Sequence, residues 1–244
     1  MKSILFNDEM VRAILDGRKT KTRRPLKPQP DDDAKIMIGE MGSSKGVAFI
    51  GNSTSGGHVT RIVSPYGQVG DRLWIRETFC LEHQVESDQP PPFTDGRPIL
   101  YLRDGIECSK EEAEIWIQPH YRATDPTPEL SYEDTDGEPT VKWKPSIHIP
   151  RWASRITLEI VDVRIERVQE ITEEEARKEG IIDGGCINCG RNEPCGCPSP
   201  KPDARDGFAN LWEKMYAKKG FGWYDNPWVW VIDFEKESAG FITI

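Results

Sequence analysis

The strongest chemical signal in the sequence is a short basic segment, Gly17-Arg-Lys-Thr-Lys-Thr-Arg-Arg24. Five of its eight residues are cationic, although the chain carries a formal net charge of −9. Such a cluster repels itself unless an anion or carboxylates compensate its charge. Lys19 and Thr22 are three residues apart, and a lysine of lowered pKa beside a hydroxyl is one way to activate a nucleophile. Composition alone favours the alternative interpretation, a solvated basic hairpin.

A second candidate is Glu179, which ends a helix predicted over residues 172–179. Its carboxylate meets the negative end of the helix dipole, a placement that is unfavourable by ~0.3–1 kcal/mol. A residue in a locally unfavourable position can serve another purpose, such as an ion pair with Lys19. A solvated glutamate is the simpler interpretation.

The third candidate is a set of four cysteines in a Gly- and Pro-rich insert over residues 182–206. Two close pairs of thiolates can surround Zn²⁺ tetrahedrally, and the insert has few apolar residues to hold it together. Disulfides are disfavoured in the cytosol. We therefore predict a structural zinc ion and no organic cofactor. The predicted ligands are Cys186, Cys189, Cys195 and Cys197.

Tryptophans are frequent in the C-terminal half of the chain. Aromatic rings can stack on nucleobases, and Trp143 and Trp152 lie beside Lys144 and Arg151. These two residues are therefore candidates for a stacking platform. Core packing is the alternative for most tryptophans in this region, particularly for the pair Trp228 and Trp230.

The helices that would position these residues have local start and stop signals. Residues 7–16 form an amphipathic pattern that begins at Asn7, a good N-cap, and is followed by Gly17. The helix over 172–179 begins with a capping box, Thr172 to Glu175, and Gly180 is its natural end. A third amphipathic helix includes Phe208, Leu211, Trp212 and Met215.

Strand patterns account for much of the remaining chain. The predicted strands cover residues 72–79, 99–103, 120–124, 154–168 and 228–234, and the last is apolar on both faces, as in a central strand. Apolar residues change phase at Val161, which indicates a β-bulge or bend. Residues 26–68 and 82–140 are predicted to be loop-rich insertions. The fold class is therefore mainly β with flanking helices, α+β.

Composition limits the classes of function. A chain of 244 residues is long enough for one large domain or two small ones, and we predict a single domain over 1–244. It has no apolar run of transmembrane length and no signal peptide, so we expect a soluble cytoplasmic protein without a membrane partner. The net charge of −9 disfavours a protein that coats nucleic acid, although a local basic site remains compatible with it.

The motif Gly17-x-Lys19-x-x-Thr22-x-Arg24 resembles that of the ASCH family, which is related to RNA-binding PUA domains. Further segments are similar to the family in the same order, over about half the chain: Val69–Glu77, Ser154–Val168, Ile171–Gly180 and Trp228–Phe234. The resemblance implies a PUA-like small β-barrel with large loop insertions. The chain is similar in arrangement and length to the longer ASCH proteins of bacteriophages and prophages. This similarity implies that the protein is located in the cytosol of a bacterial host.

The resemblance also implies a function. Some small bacterial ASCH proteins are amidohydrolases that remove the acetyl group of N4-acetylcytidine, and their working residues correspond to Lys19, Thr22 and Glu179. Many other members carry Glu at the position of Thr22. RNA or a modified nucleoside is the expected ligand. Phosphate contacts would come from Arg18, Lys21, Arg23 and Arg24. The alternatives are a ribonuclease, a non-catalytic RNA-binding module, or a phage accessory module that binds an unknown protein.

Overall fold

A computed structural model of the chain describes residues 1–30, 35–37, 47–51, 59–84, 97–103, 106–111, 113, 115–125, 143–182 and 204–237. These residues form strands and three α-helices, and they divide into two compact units. The first unit consists of residues 1–12 and 73–157, and the second of residues 13–72 and 158–237. The predicted class, mainly β with a few helices, is confirmed. None of the helices in these ranges is long and apolar enough to cross a membrane.

The strands are short except for two near the C-terminus. In chain order they are β1 Lys2–Leu5, β2 Lys21–Pro25, β3 Lys35–Met37, β4 Val47–Gly51, β5 Val59–Val63, β6 Arg72–Arg76, β7 Phe79–Gln84, β8 Leu100–Arg103, β9 Ile106–Glu107, β10 Ile115–Tyr121, β11 Thr157–Arg167 and β12 Trp228–Lys236.

The helices begin and end where their local signals predict. Helix α1 spans Asp8–Leu15, and the Asn7 side chain accepts a hydrogen bond from the Met10 N–H at 2.9 Å. Helix α2 spans Glu173–Lys178 with the predicted capping box. Helix α3 spans Ala204–Tyr216. Gly17 and Gly180 follow α1 and α2 with φ of 75° and 89°, left-handed values that glycine adopts without strain.

The second unit is built on a three-stranded antiparallel arrangement in the order β11-β12-β2. Strand β12 is therefore paired on both sides, as its apolar sequence predicts. The pairing of β11 with β12 shifts register between Ile160 and Asp162, which is the bulge predicted at Val161. Helices α2 and α3 pack together, and their apolar residues join Val229 and Val231 of β12 in one core cluster.

A separate sheet lies in residues 26–68, where the sequence predicts only an irregular insertion. Strands β3, β4 and β5 pair antiparallel in that order. These strands are only three to five residues long and are surrounded by Gly, Ser and Asp, so composition hides them. The loop-rich insertion predicted over residues 26–68 therefore includes thirteen strand residues.

The first unit contains β1 paired parallel with β6, and a sheet in the order β7-β10-β8-β9. Two strand predictions need correction here. The predicted strand over 72–79 is two strands, since β6 ends at Arg76 and Phe79 begins β7. The strand predicted at 120–124 is instead β10, which ends at Tyr121 and includes Pro119. The proline is tolerated because β8 pairs only with Ile115–Ile117, before the missing N–H.

Candidate active site around Lys19 and Glu179

Three backbone contacts hold the basic segment against the C-terminal ends of α1 and α2. After the turn at Gly17, the Lys19 N–H donates to the carbonyl of Ala13 at 2.9 Å, and the Thr20 N–H donates to that of Lys178 at 2.9 Å. Lys19 and Glu179 also form an isolated antiparallel bridge. Gly180 allows this approach, because a Cβ at position 180 would lie 2.9 Å from the Cβ of Ala13 and 3.2 Å from that of Lys19.

The Lys19 ammonium is buried and surrounded by oxygen acceptors. Its Nζ donates to Oε2 of Glu179 at 2.7 Å, to the Glu179 carbonyl at 2.7 Å and to the Lys21 carbonyl at 2.8 Å. Lys19 is 3% exposed and Glu179 is 4% exposed. Burial lowers the pKa of Lys19 because it removes water from the charged form, while the Glu179 carboxylate opposes this shift. The ion pair predicted between these two residues is therefore present.

Thr22 lies on β2, opposite Ile232 of β12, and is 3% exposed. Its hydroxyl makes no hydrogen bond to any residue that the structure describes. Because side chains alternate along a strand, Thr22 and Arg24 occupy one face of β2, whereas Lys21 and Arg23 occupy the other. The structure therefore brings Lys19 and Glu179 together, but the Thr22 hydroxyl makes no hydrogen bond to either of them, and Glu179 contacts Arg23, which occupies the other face of β2.

The opposite face of β2 holds an ionic network. Lys21 Nζ contacts Glu175 Oε1 at 3.0 Å and Asp233 Oδ1 at 2.7 Å. Arg23 contacts Glu175 at 2.7 Å, Glu166 at 3.1 Å and Glu179 at 3.4 Å. Carboxylates thus compensate the two cations, which are 5% and 3% exposed. Phosphate binding by Lys21 and Arg23 would have to compete with these contacts.

Glu175 is the centre of this network. Its carboxylate accepts from Lys21, Arg23 and Arg164, and it also caps the first turn of α2. Burial acts to raise the pKa of Glu175, but the hydrogen bond from Lys21 and the charges of Arg23 and Lys21 outweigh it and lower the pKa to about 2. The carboxylate is therefore ionised throughout the neutral range.

The remaining two basic residues of the segment have different surroundings. The Arg18 side chain is 43% exposed, pairs with Asp16 at 3.0 Å and donates to the Gly180 carbonyl at 3.4 Å. Arg24 is half-buried, and its Nη1 donates to the hydroxyl of Tyr216 at 3.3 Å. These two arginines are the members of the predicted phosphate-binding set that are not buried.

Comparison of the sequence with protein-family models and with curated proteins, and of the fold with solved structures, finds no match. Within the described part of the chain, no group of three or more His, Cys, Asp or Glu side chains is arranged to hold a metal ion. The predicted zinc ligands Cys186, Cys189, Cys195 and Cys197 all lie outside the described residues, so the zinc site stays a prediction.

Both predicted stacking residues belong to the first unit. Trp152 is partly buried and packs against a core cluster that includes Phe79 and Tyr121. Trp143 is also half-buried, and the next residue, Lys144, forms a backbone bridge with Phe79. Their role in base stacking stays a prediction.

The first unit also contains buried ion pairs that the sequence did not predict. Arg155 donates to both oxygens of Glu77, at 3.0 and 2.9 Å, and Arg97 pairs with Asp125 at 2.6 Å. Both guanidinium groups face the Tyr121 ring, at 3.9 and 5.4 Å from its centroid. Because each carboxylate here has a dedicated arginine and the aromatic ring fills the space between them, this cluster is explained by packing alone.

Proposed function

We propose that this protein is an ASCH-type amidohydrolase with a PUA-like barrel, acting on an acylated pyrimidine nucleoside such as N4-acetylcytidine in a bacterial cytosol. One observation carries the proposal: Nζ of Lys19 lies 2.7 Å from Oε2 of Glu179 in a buried site, and burial lowers the pKa of this lysine. Burial shifts the equilibrium of this lysine towards the neutral amine, which is the form that a general base requires.

The proposed reaction assigns one role to each residue. In the substrate complex, the Thr22 hydroxyl attacks the acyl carbonyl carbon while its proton passes to the neutral amine of Lys19. The tetrahedral intermediate then expels the nucleoside amine, which takes that proton from Lys19 as the C–N bond breaks. Water then attacks the threonine ester and gives a proton to Lys19, which returns it to the Thr22 oxygen as acetate leaves. Glu179 orients Lys19 throughout, and in this proposal Arg24 stabilises the developing negative oxygen.

A purely structural ion pair is the competing interpretation, since buried pairs are also used to join segments. Thr22 distinguishes the two. In a structural account, its hydroxyl contributes nothing, because it has no hydrogen-bond partner among the residues described. In the catalytic account, that free hydroxyl is the nucleophile.

The test uses a substitution that keeps the shape of the side chain. Purified protein is incubated with N4-acetylcytidine, and cytidine release is followed by chromatography. We expect Thr22→Val to lower kcat/KM by at least about 100-fold, whereas Thr20→Val, a matched change two residues away, leaves it within about twofold. For the wild type, kcat/KM should fall as the pH drops below the lowered pKa of Lys19, because the protonated amine cannot accept a proton. Equal turnover by both valine variants would remove Thr22 from the reaction, and no release of cytidine by the wild type would remove the deacetylase.

The same contacts weigh against RNA binding through the basic segment as a whole. Lys21 and Arg23 are compensated by carboxylates, so an RNA would have to break those pairs to gain phosphate contacts. We therefore place the nucleoside, rather than a phosphate backbone, at the centre of the proposed recognition.

A further inference from the structure

Two arginines of the first unit lie against the same tryptophan ring. Trp74 and Arg76 are two residues apart on β6 and therefore share a face of that strand, and the guanidinium carbon of Arg76 lies 5.5 Å from the centroid of the Trp74 ring. Arg151 is the first residue of a short helical turn that follows Pro150, and its guanidinium carbon lies 5.7 Å from the same centroid. One aromatic ring thus holds two positive charges close to each other.

Neither guanidinium group contacts a carboxylate of a residue that the structure describes. Arg76 Nη2 donates to the Ile147 carbonyl, and the buried Nε of Arg76 makes no hydrogen bond to a described residue. Arg151 Nη2 contacts the Met1 sulfur at 3.2 Å, and a thioether sulfur is a weak acceptor. Because neighbouring cations repel each other, an anion bound to both arginines would be stabilised.

Other arginines of the first unit do have carboxylate partners. Arg155 binds both oxygens of Glu77, and Arg122 contacts Asp8 at 2.6 Å. Arg122 is the more informative comparison, because its side chain is 52% exposed and is nevertheless paired. Exposure to solvent therefore does not by itself explain why the two arginines on Trp74 lack a carboxylate.

Exposed aliphatic side chains border this pair of arginines. Leu5 of β1 is in register with Arg76 of β6, so the two side chains lie on the same face of the sheet. Leu5 is 42% exposed, and Ile147, whose carbonyl accepts from Arg76, is 55% exposed. Single exposed apolar residues are ordinary, but these two are grouped around one arginine beside a tryptophan. Tryptophan and arginine are the residues most enriched at the centre of protein–protein interfaces.

We propose that Leu5, Trp74, Arg76, Ile147 and Arg151 form a docking surface, the Trp74 surface, for an acidic segment of another protein. The partner places a carboxylate against the two guanidinium groups and an aliphatic side chain against Leu5 and Ile147. Charge complementarity requires an anionic partner. The aliphatic border favours a polypeptide over nucleic acid, because a phosphate backbone gains nothing from contact with aliphatic side chains. This surface does not depend on the proposed reaction.

The cation–π contacts have a role in this docking. Trp74 holds both guanidinium groups in place before the partner arrives, so less side-chain entropy is lost when the complex forms. The carboxylate would then bind to a prepared pair of donors, and hydrogen bonds between guanidinium and carboxylate groups are among the stronger ones in proteins.

The probe is a phage-displayed library of random dodecapeptides, and the target is the full-length protein. The library is first depleted on the double variant Arg76→Gln/Arg151→Gln, which removes both positive charges and keeps polar side chains. Peptides are then selected on the wild type. We expect the enriched sequences to combine aspartate or glutamate with a neighbouring aliphatic residue, because the Trp74 surface offers one partner for each.

One enriched peptide is synthesised with a fluorescent label, and its Kd is measured by anisotropy. We expect Arg76→Gln and Arg151→Gln each to raise Kd about 10-fold or more, the effect of losing one charge-assisted hydrogen bond. Arg122→Gln is the matched control and should leave Kd within about twofold, because Arg122 is already paired with Asp8.

The aliphatic border is tested in the same assay. Leu5→Ser and Ile147→Ser should each raise Kd about 3- to 10-fold, because part of the apolar contact with the peptide is lost. Ile106→Ser is the matched control, since Ile106 belongs to the same unit and is 70% exposed, and it should leave Kd within about twofold.

Replacing the acidic residues of the peptide by their amides tests the same contact without altering the protein, so the result does not depend on the folding of a variant. Binding that survives this replacement would overturn the Trp74 surface, as would enriched sequences without a carboxylate or the absence of any peptide that prefers the wild type to the double variant. Two further assays examine other occupants. A dimer in sedimentation velocity, or a complex with labelled oligouridylate, that forms with the wild type and not with the double variant would assign the surface to a second copy or to nucleic acid and overturn the proposal.

Discussion

Removing the charge of Glu179 is expected to destabilise the protein more than removing that of Lys19. The Glu179 carboxylate lies 2.7 Å from Lys19 Nζ through Oε2 and 3.4 Å from Arg23 Nη1 through Oε1. Glu179→Gln therefore leaves an uncompensated ammonium in a site where Lys19 is 3% exposed. Lys19→Met leaves Glu179 with Arg23 still beside it, so the stranded carboxylate keeps a counter-charge.

The magnitudes follow from these contacts. Breaking a buried ion pair from one side costs about 3–5 kcal/mol in free energy of unfolding, and we expect Glu179→Gln to fall in this range. For Lys19→Met, we expect about 1–3 kcal/mol, since the remaining carboxylate loses one hydrogen bond but not its last cation. The double variant Lys19→Met/Glu179→Gln should lose about 1–3 kcal/mol less than the sum of the two single losses, because it leaves neither charge without its partner.

Urea denaturation followed by far-UV circular dichroism gives the required midpoints and slopes. For a chain of this size, the Glu179→Gln loss corresponds to a fall in Tm of roughly 6–20 °C. Glu174→Gln is the matched control, because Glu174 pairs with Lys178 at the surface and its removal should leave the midpoint unchanged. A Glu179→Gln loss below about 1 kcal/mol, a larger loss in Lys19→Met, or strict additivity in the double variant would each refute the claim that this pair is desolvated and mutually dependent.

Three further outcomes are expected. Gly180→Ala should lower Tm more than Gly220→Ala. Both residues have a left-handed φ, which costs alanine about 1–2 kcal/mol, but only at Gly180 would the new Cβ meet neighbouring atoms, at 2.9 and 3.2 Å. Equal losses of Tm in the two variants would contradict the close packing at Gly180. Because the pKa of Glu175 is lowered to about 2, the stability that its carboxylate contributes is present above about pH 4.5 and is lost as the pH falls towards 2. The urea midpoint of Glu175→Gln should therefore fall less over this pH window than the midpoint of the wild type. Parallel pH profiles of the two proteins would argue against this contribution of Glu175. Freshly purified protein should contain about one equivalent of zinc by elemental analysis and clearly less in Cys186→Ser, whereas under about half an equivalent in the wild type would contradict four-cysteine coordination.

Features with local causes were predictable from the sequence. The Asn7 cap, the capping box of Thr172 and Glu175, and the glycine after each of these helices depend on residues within one turn of each other. The bulge in β11 was predictable for the same reason, since the apolar pattern changes phase at Val161. In each of these cases, the residues that carry the signal are also those that make the contact.

Apart from Glu179, the partners of the basic segment could not be predicted, because they come from distant parts of the chain. Lys21 and Asp233 are separated by 212 positions, and Arg23 and Glu166 by 143. A signal did exist: Asp162, Arg164 and Glu166 alternate with apolar residues of β11, and Asp233 is the only charge within an apolar run. Such patterns indicate that one face of a strand is polar. They do not give the strand register that places these charges opposite β2.

The error in the strand predicted over residues 120–124 has a similar cause. A proline within a run of residues lowers the propensity for a strand, and only the neighbouring strand decides whether its missing N–H matters. Because β8 stops at the residues facing Ile115–Ile117, β10 continues through the proline to Tyr121. Whether a position lies at an edge is a property of the assembled sheet.

Glu175 links three cations through two oxygen atoms, with Lys21 and Arg164 sharing Oε1 and Arg23 bound to Oε2. Removing any one of these charges leaves its partners without part of their counter-charge. Through the contact of Arg23 with Glu179, such a change also reaches the Lys19–Glu179 pair. The ionic network around Glu175 therefore has to be redesigned as a whole, with compensating changes introduced together.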